Sequence, residues 1–452
     1  MTRKRSLMAG LLLIALVLAA CGSSKKSTGG GGKTTTTATP QLTASFRGVT
    51  ADSIKIGIVI IDYKTIADFV DFTRGDQQKI AQSFVDDINA NGGVLGRKIV
   101  PVYKTYKPIG NQDTLAICTA LTQDEKVFAV LGVFIDFSGD SQLCLTRDHQ
   151  TIHIGHELKQ QWISEAPPGL LLTPDITAER RVNVVMNLIK QKGTLAGKKV
   201  AILADPDSKA SADSVIKTGL TGLGLQQGSE AVINVGGSTD TSQAQAQLDS
   251  FIEKWKGEGV NALFMAGANV SSKQFVEKIK KAFPNMLLLT DFPSGVHEAA
   301  QDEVKAKKNP NPYEGAITAE GETSSEHYKS PAVKKCVATW EKASGTTVVG
   351  PDDLKPGPDG KRAEIYIAVE DFCGELAMFK TIAEKAGANL TNATWVDTVN
   401  KFGSISLVST NIASLHTGKY DADDAFRLEA FDSSIAPNGD WKPLTELADA
   451  SK

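Results

Sequence analysis

No apolar stretch in the 452 residues is long enough to span a bilayer. The one strongly apolar run, Leu7–Ala20, has 14 residues, where a spanning helix needs about 20. Basic excess is absent too: 49 Lys and Arg stand against 52 Asp and Glu, a net charge of −3. A chain with this balance and no basic stripe does not suit a phosphate backbone, so nucleic acid is disfavoured as a partner. There is no C-x-x-C pair, which disfavours a zinc ribbon or a thioredoxin-type site. Without G-x-S-x-G, P-loop or H-E-x-x-H, nucleophile, base and orienter cannot be assembled from motifs. Gly222-Leu-Gly224-x-x-x-Gly228 follows a helical pattern and precedes a strand, the reverse of a dinucleotide fingerprint. No repeat with a 20–50-residue period is visible.

What is present begins at the N-terminus. Arg3-Lys4-Arg5 followed by Leu7–Ala20 reads as a secretory signal over residues 1–20. Its end, Leu18-Ala19-Ala20-Cys21-Gly22, resembles a bacterial lipobox, in which Cys21 is lipidated and becomes the first residue. The alternative is plain cleavage near Ala20, with Cys21 a bystander. Removing the three basic residues leaves 46 basic side chains against 52 acidic ones. The Gly-, Ser-, Thr- and Lys-rich stretch that follows buries too little to offset its ordering entropy, so residues 21–50 are expected to be a flexible linker. The expected product is a body held by a lipid on the extracytoplasmic face of the cell membrane.

Cysteine usage fits an oxidising compartment. Beyond Cys21 the chain has Cys118, Cys144, Cys336 and Cys373, for which three pairings are possible. Cys118–Cys144 and Cys336–Cys373 are favoured, because each joins neighbouring predicted elements.

From Ile54 onward, β-branched runs alternate with amphipathic helical patterns. Ile54–Ile60 reads as a strand buried on both faces. Gly75–Ala90 is a helix with an Ile80, Phe84, Val85 and Ile88 stripe, stopped by Asn91-Gly92-Gly93. A second alternating set starts after Pro174, with strands expected at 199–203, 231–235, 260–264 and 286–290. This alternation implies parallel strands with right-handed crossovers, and each half is long enough to be doubly wound. Beyond Glu320 helices are expected at 331–343 and 363–387, and strands within 404–432.

The order of elements resembles the type I periplasmic-binding fold, in the leucine/isoleucine/valine-binding family of ABC importers. The likeness is carried by Ile56-Gly-Ile-Val59, by Phe84–Lys98 with its D-I-N-x-x-G-G-x-x-G element (Asp87–Gly96), by Val127–Gly132, Lys199–Leu203 and Ala363–Glu370. It implies an α/β protein of two doubly wound parallel-sheet lobes joined by three crossovers, placed near Thr173, Ala319 and Ser404. The lobes would be 51–172 plus 320–403 and 173–319 plus 404–432, with 433–452 as a C-terminal tail.

The resemblance also implies a ligand cleft between the lobes, where open α/β sheets bind ligands at strand carboxyl ends and helix N-termini favour a carboxylate. Ser138-Gly139 matches the family's ligand-carboxylate loop, with a longer spacing from Gly132. Gly155, His156 and Glu157 match a second such loop; the His and Glu depart from the family's small residues and indicate a more polar ligand. The far lobe is expected to contribute Asp207, Ser208, Ala268, Asn269 and Asp291. Relatives often carry Tyr-Gly where Ser208-Lys209 stands. Asp291 either meets a ligand ammonium or caps the next turn, and Phe72 either walls the cleft or serves the core or surface.

His149, His153, His156 and Glu157 suggest metal ligands, but strand alternation turns His153 away, so no metal and no cofactor are expected. The expected function is capture of a small polar solute, an amino acid or related molecule, for a permease driven by ATPase subunits, with no covalent chemistry. The alternatives are a sensor of the same fold and an extracytoplasmic metal-dependent hydrolase built on His149–Glu157.

Overall fold

The Ile- and Val-rich run that opens the body becomes the middle of a sheet, because both its faces are covered. The computed structural model describes residues 42–68, 70–136, 138–234 and 242–451; the signal segment and Cys21 lie outside them. In chain order the first half holds β1 (Ser53–Ile61), β2 (Phe72–Thr73), α1 (Gln77–Ala90), β3 (Lys98–Tyr106), α2 (Gln112–Thr119), β4 (Ala129–Leu131), α3 (Asp140–Leu143), β5 (Ile152–Ile154), α4 (Gln160–Glu165) and β6 (Leu171–Leu172). The second holds α5 (Ala178–Lys192), β7 (Lys199–Ala204), α6 (Lys209–Ser211), α7 (Lys217–Gly222), β8 (Gln226–Val232), α8 (Ser242–Glu258), β9 (Ala262–Ala266), α9 (Lys273–Ala282), β10 (Leu287–Thr290), α10 (Pro293–Lys305) and β11 (Ile317–Glu320). The chain then returns through α11 (Ser324–Lys329), α12 (Pro331–Ser344), β12 (Arg362–Ala363), α13 (Ile365–Ala386), α14 (Asn392–Asn400), β13 (Gly403–Ser404) and β14 (Ser414–Leu415). It ends with β15 (Ala425–Asp432), β16 (Asp440–Pro443) and β17 (Ala448–Asp449).

Two main sheets result. The first is all parallel in the order β3-β1-β4-β5-β6. The second runs β16-β15-β11-β10-β9-β7-β8, parallel from β11 to β8, with β15 and β16 antiparallel at one edge. Each has its own core on both faces. Ile54, Ile56 and Ile58 of β1 pack with Phe84, Val333, Phe379 and Trp395, while Val59 and Ile61 pack with Leu121 and Val130. In the second sheet Leu263 and Met265 meet Trp255 and Phe275 on one face, and Ile202 and Phe264 meet Val185 and Phe426 on the other.

The turn from α1 into β3 explains its glycines. Gly93 has φ +66°, and a Cβ there would lie 2.0 Å from the Arg97 carbonyl oxygen. Arg97 is 1% exposed and donates to the carbonyls of Thr43, Thr50 and Ala388, so backbone oxygens take the place of water around its buried charge. Disulfides join Cys118 to Cys144, across α2 and the end of α3, and Cys336 to Cys373, across α12 and α13.

Three expected boundaries change. Residues 42–50, expected within the linker, belong to the body: Val49 is buried in the first core, and the Ser45 hydroxyl donates to the Leu390 carbonyl at 2.7 Å. Residues 402–422 belong to the first half, since Phe402, Leu407, Leu415, Tyr420 and Ala422 are core residues there; the third crossover lies at 420–424, not at Ser404. The polar alternation of 404–408 hid this, because that segment is anchored by packing and β13 keeps only two residues. The expected tail 433–452 is instead sheet: Trp441 of β16 pairs with Phe431 and is buried against it, and β17 pairs with β15. A fourth shift is small: β8 lies at 226–232, where 231–235 was expected.

The crossovers lie together. Thr173 N–H donates to Tyr420 O at 3.0 Å, and Ala422 N–H returns to Thr173 O at 2.9 Å. Arg180 in the first turn of α5 bonds Asp421 at 2.6 Å and Asp424 at 2.9 Å, and Arg181 bonds Glu320 at the end of β11 at 2.7 Å.

Candidate ligand-binding site

Strand order reverses beside β1 and β4 in the first sheet and beside β7 and β9 in the second. Loops at such points leave a crevice outside the strand ends. In the first half these are the loops after β1 and β4; in the second they are 205–208 and 267–272.

Ser138 and Gly139 stand where a ligand carboxylate was expected, but the donors there are in use. Asp136, 5% exposed, accepts the N–H of Ser138 at 3.0 Å and of Ser141 at 2.8 Å, and the Ser138 hydroxyl at 2.5 Å. Those bonds hold its carboxyl below the usual carboxylate range against burial. Asp140 Oδ2 lies 2.8 Å from the same hydroxyl and competes with Asp136 for its one proton. Gly139, at φ +79°, is a packing glycine: a Cβ would lie 2.4 Å from the Trp162 ring nitrogen.

Gly155 is equally confined, with a Cβ landing 2.8 Å from His153 Nε2 and 3.1 Å from Gly132 O. His156 reaches the first crossover: Nδ1 lies 2.9 Å from Asp175 Oδ2. Its Nε2 is 3.2 Å from Glu375 Oε1 on α13, close in distance but not aligned as a hydrogen bond. Burial works against its charge, but the carboxylates of Asp175 and Glu375 hold its pKa well above that of free imidazole. Glu157 has φ +56°, outside the ordinary range for a non-glycine residue, and its N–H serves Asp175. Burial and Asp175 push its own carboxyl up.

Phe72 lies edge-on to Tyr63, centroids 5.4 Å apart, with the Arg74 guanidinium 4.6 Å above its ring, and β2 pairs with β12. It belongs to a local packed group beside the loop after β1.

In the second half Asp205, Ser208, Gly267 and Asp291 come together. Ser208 N–H donates to Asp205 at 3.0 Å, Gly267 N–H donates to Asp291 Oδ1 at 2.9 Å, and a Cβ on Gly267 would strike Asp205 Oδ2 at 2.1 Å. Asp291 thus anchors the loop after β9; α10 has Phe292 as its N-cap, without a side-chain cap bond. Burial, with Asp205 nearby, pushes the Asp291 carboxyl up to about 6. Ala268 and Asn269 are exposed in the same loop. The Asp207 side chain is outside the described set.

Sequence reasoning missed the carboxylates around the crossovers. Burial is the main cause that raises Glu370 to about 8, Glu375 to about 7 and Asp423 to about 7, and it raises Asp371 as well. The signal was available in α13, where Glu370, Asp371 and Glu375 interrupt the mainly apolar stretch Ile365–Phe379, and in Asp136 within Val133–Phe137. The histidines do not converge on an ion. His153 is fully buried, faces Val130 O at 3.2 Å and is held near pKa 4 by burial. Among the described residues, the one group of three ligating atoms within 4.8 Å is Cys118, Cys144 and His149, and the two cysteines are bonded to each other.

Comparison with known proteins agrees with this architecture. No curated protein matches the sequence. Solved structures match the fold at low identity. One is the branched-chain amino acid transporter substrate binding protein of Streptococcus pneumoniae in complex with isoleucine: TM-score 0.54, 15% identity, 88% of this chain and 99% of that one. Another is a solute binding protein of an ABC transporter from Rhodopseudomonas palustris with 3,4-dihydroxy benzoic acid: TM-score 0.56, 15% identity, 88% and 98%. A third is a fatty acid ABC transporter substrate-binding protein from Thermomonospora curvata: TM-score 0.56, 18% identity, 90% and 94%. The family model described as periplasmic binding protein matches residues 73–417, from the end of β2 to just before the third crossover. Two doubly wound sheets, three neighbouring crossovers and that match have one reading: the chain belongs to the periplasmic binding protein family, with the type I fold, and is a binding protein rather than an enzyme.

Proposed function

We propose that the chain is the extracytoplasmic solute-binding lipoprotein of an ABC importer, tethered through Cys21, which captures a small polar solute between its halves and presents it to permease and ATPase subunits. The observation that carries this reading is the side-by-side packing of the three crossovers, clamped by Arg180 and Arg181. Two sheets with separate cores, joined mainly there, are built to open and close about that line. Ligand then shifts the population by binding the closed state better. The structural relatives named above support a small-solute role, and among the described residues no helix is long and apolar enough to cross a membrane. The candidate contacts are Phe72, Ser138, Gly139, Gly155, His156 and Glu157 from one half, with Asp207, Ser208, Ala268, Asn269 and Asp291 from the other.

Calorimetric titration against amino acids, aromatic and aliphatic carboxylates and amines tests the reading. Saturable one-to-one binding of at least one solute is expected, and silence across the whole panel would count against it. Labelling with a radioactive fatty acid tests the anchor: Cys21→Ala should abolish incorporation.

A further inference from the structure

The region where the halves join carries more carboxylates than its own cations neutralise. Arg180 is engaged with Asp421 and Asp424, Arg181 with Glu320, and Arg74 with Glu364. Around Asp175 remain Glu157, Glu370, Asp371, Glu375 and Asp423, each of which feels its field. Lys419 joins Arg180 at Asp424, 3.2 Å away. Among the described residues, His156 faces Asp175 and Glu375, while His327, 3.4 Å from Glu370, has its charged form disfavoured by burial. Glu375 is 1% exposed; one oxygen faces His156, and the other, Oε2, is buried without a hydrogen-bond partner. A buried carboxylate oxygen left unpaired is costly, and an N–H-bearing cation would relieve it. At the β4 edge, meanwhile, Asp136 has taken the donors that would grip an incoming carboxylate.

We propose that the solute is an organic cation, carrying an ammonium or guanidinium and lacking a free carboxylate: Glu375 accepts from its N–H groups, while Asp136 fills the anion cradle from within. This rests on the solute-binding reading above and names the class of solute. An extended organic cation fits better than a metal ion. His156 holds Asp175 and Glu375 on opposite ring nitrogens, and among the described residues no three carboxylate or imidazole atoms converge there. Discrimination follows from electrostatics: a carboxylate brought to Ser138 would sit against Asp136 and Asp140 with its hydrogen-bond donors already taken.

Calorimetry on the full chain with matched probes decides. Isoamylamine is compared with leucine and agmatine with arginine, each pair differing by the carboxylate alone, with 4-hydroxybenzoate as a fifth probe. At least one amine should bind ten times or more tighter than its amino acid. Glu375→Gln should weaken that amine at least tenfold. Asp136→Gly should narrow the amine-to-amino-acid ratio at least tenfold; should that variant not fold, the wild-type ratio and Glu375→Gln decide. An amino acid binding as tightly as its amine, or 4-hydroxybenzoate binding while both amines fail, overturns the cation assignment and leaves the solute-binding reading intact. No binding by any of the five, or by the wider panel, brings down both.

Discussion

His156 shows how a single side chain can hold an interface that its neighbours would open. It faces two carboxylates, of which Glu375 is fully buried and Asp175 is 43% exposed. Removing the imidazolium leaves Glu375 without a counter-charge, a loss that costs several kcal/mol in a dry site and less where one partner meets water. His156→Ala is therefore expected to lower unfolding free energy by about 2 kcal/mol at pH 7, measured by denaturant titration. At pH 5, where the Glu375 carboxyl (near 7 in the fold) holds a proton, the loss should shrink. Equal losses at both values would contradict the assigned pairing. Gly139 makes a different point at the same scale. It lies in the loop expected to meet a ligand carboxylate, and its missing side chain leaves room for the Trp162 ring. Gly139→Ala combines a strained positive φ with a ring clash, so a destabilisation of at least about 2 kcal/mol is expected by thermal melting.

At the scale of elements, the alternation of strand and helix was legible because fully buried parallel strands must be continuous apolar runs. β1, β7 and β9 announce themselves in this way. The disulfide partners were legible for a similar reason: each pair joins neighbouring elements. The third crossover was not, since residues 402–424 owe their place to scattered anchors such as Leu407 and Tyr420 rather than to any period. Nor were the charges of α13, because sequence shows that Glu375 sits in an apolar helix but not that His156 arrives opposite it. The crossovers themselves depend on Arg180, whose partners Asp421 and Asp424 are 2% and 1% exposed. Arg180→Ala should cost about 3 kcal/mol and accelerate hydrogen exchange in 173–177 and 420–424 ahead of the rest of the body. Arg180→Lys should restore only part of this, because an ammonium cannot match the guanidinium fork. Uniform exchange across both sheets would contradict the proposal that the halves open about the crossovers.

For the whole molecule, the buried acids set a pH signature. Glu370 (about 8), Glu375, Asp423 and Glu429 (about 7 each) keep protons in the folded state at pH values where the unfolded chain has lost them. His156, held above its ordinary value by Asp175 and Glu375, does the same above about pH 6.5. More protons bound to the native state means that stability falls as pH rises. His153, depressed to about 4 by burial, works in the opposite sense, but only below about pH 6.5. The melting temperature of the free protein is thus expected to drop steadily from pH 6.5 to 8.5; a flat or rising profile would mean that these carboxyls are not buried as described.

The most direct test of the account measures shape and binding together. Small-angle scattering of the full chain, titrated with the solute that gives the largest rise in melting temperature from the calorimetric panel, reports whether two halves close on it. The account predicts a saturable fall in radius of gyration, at the concentration where heat is released. Binding with an unchanged radius, or no solute that binds at all, would contradict a molecule that works by folding its halves around a ligand.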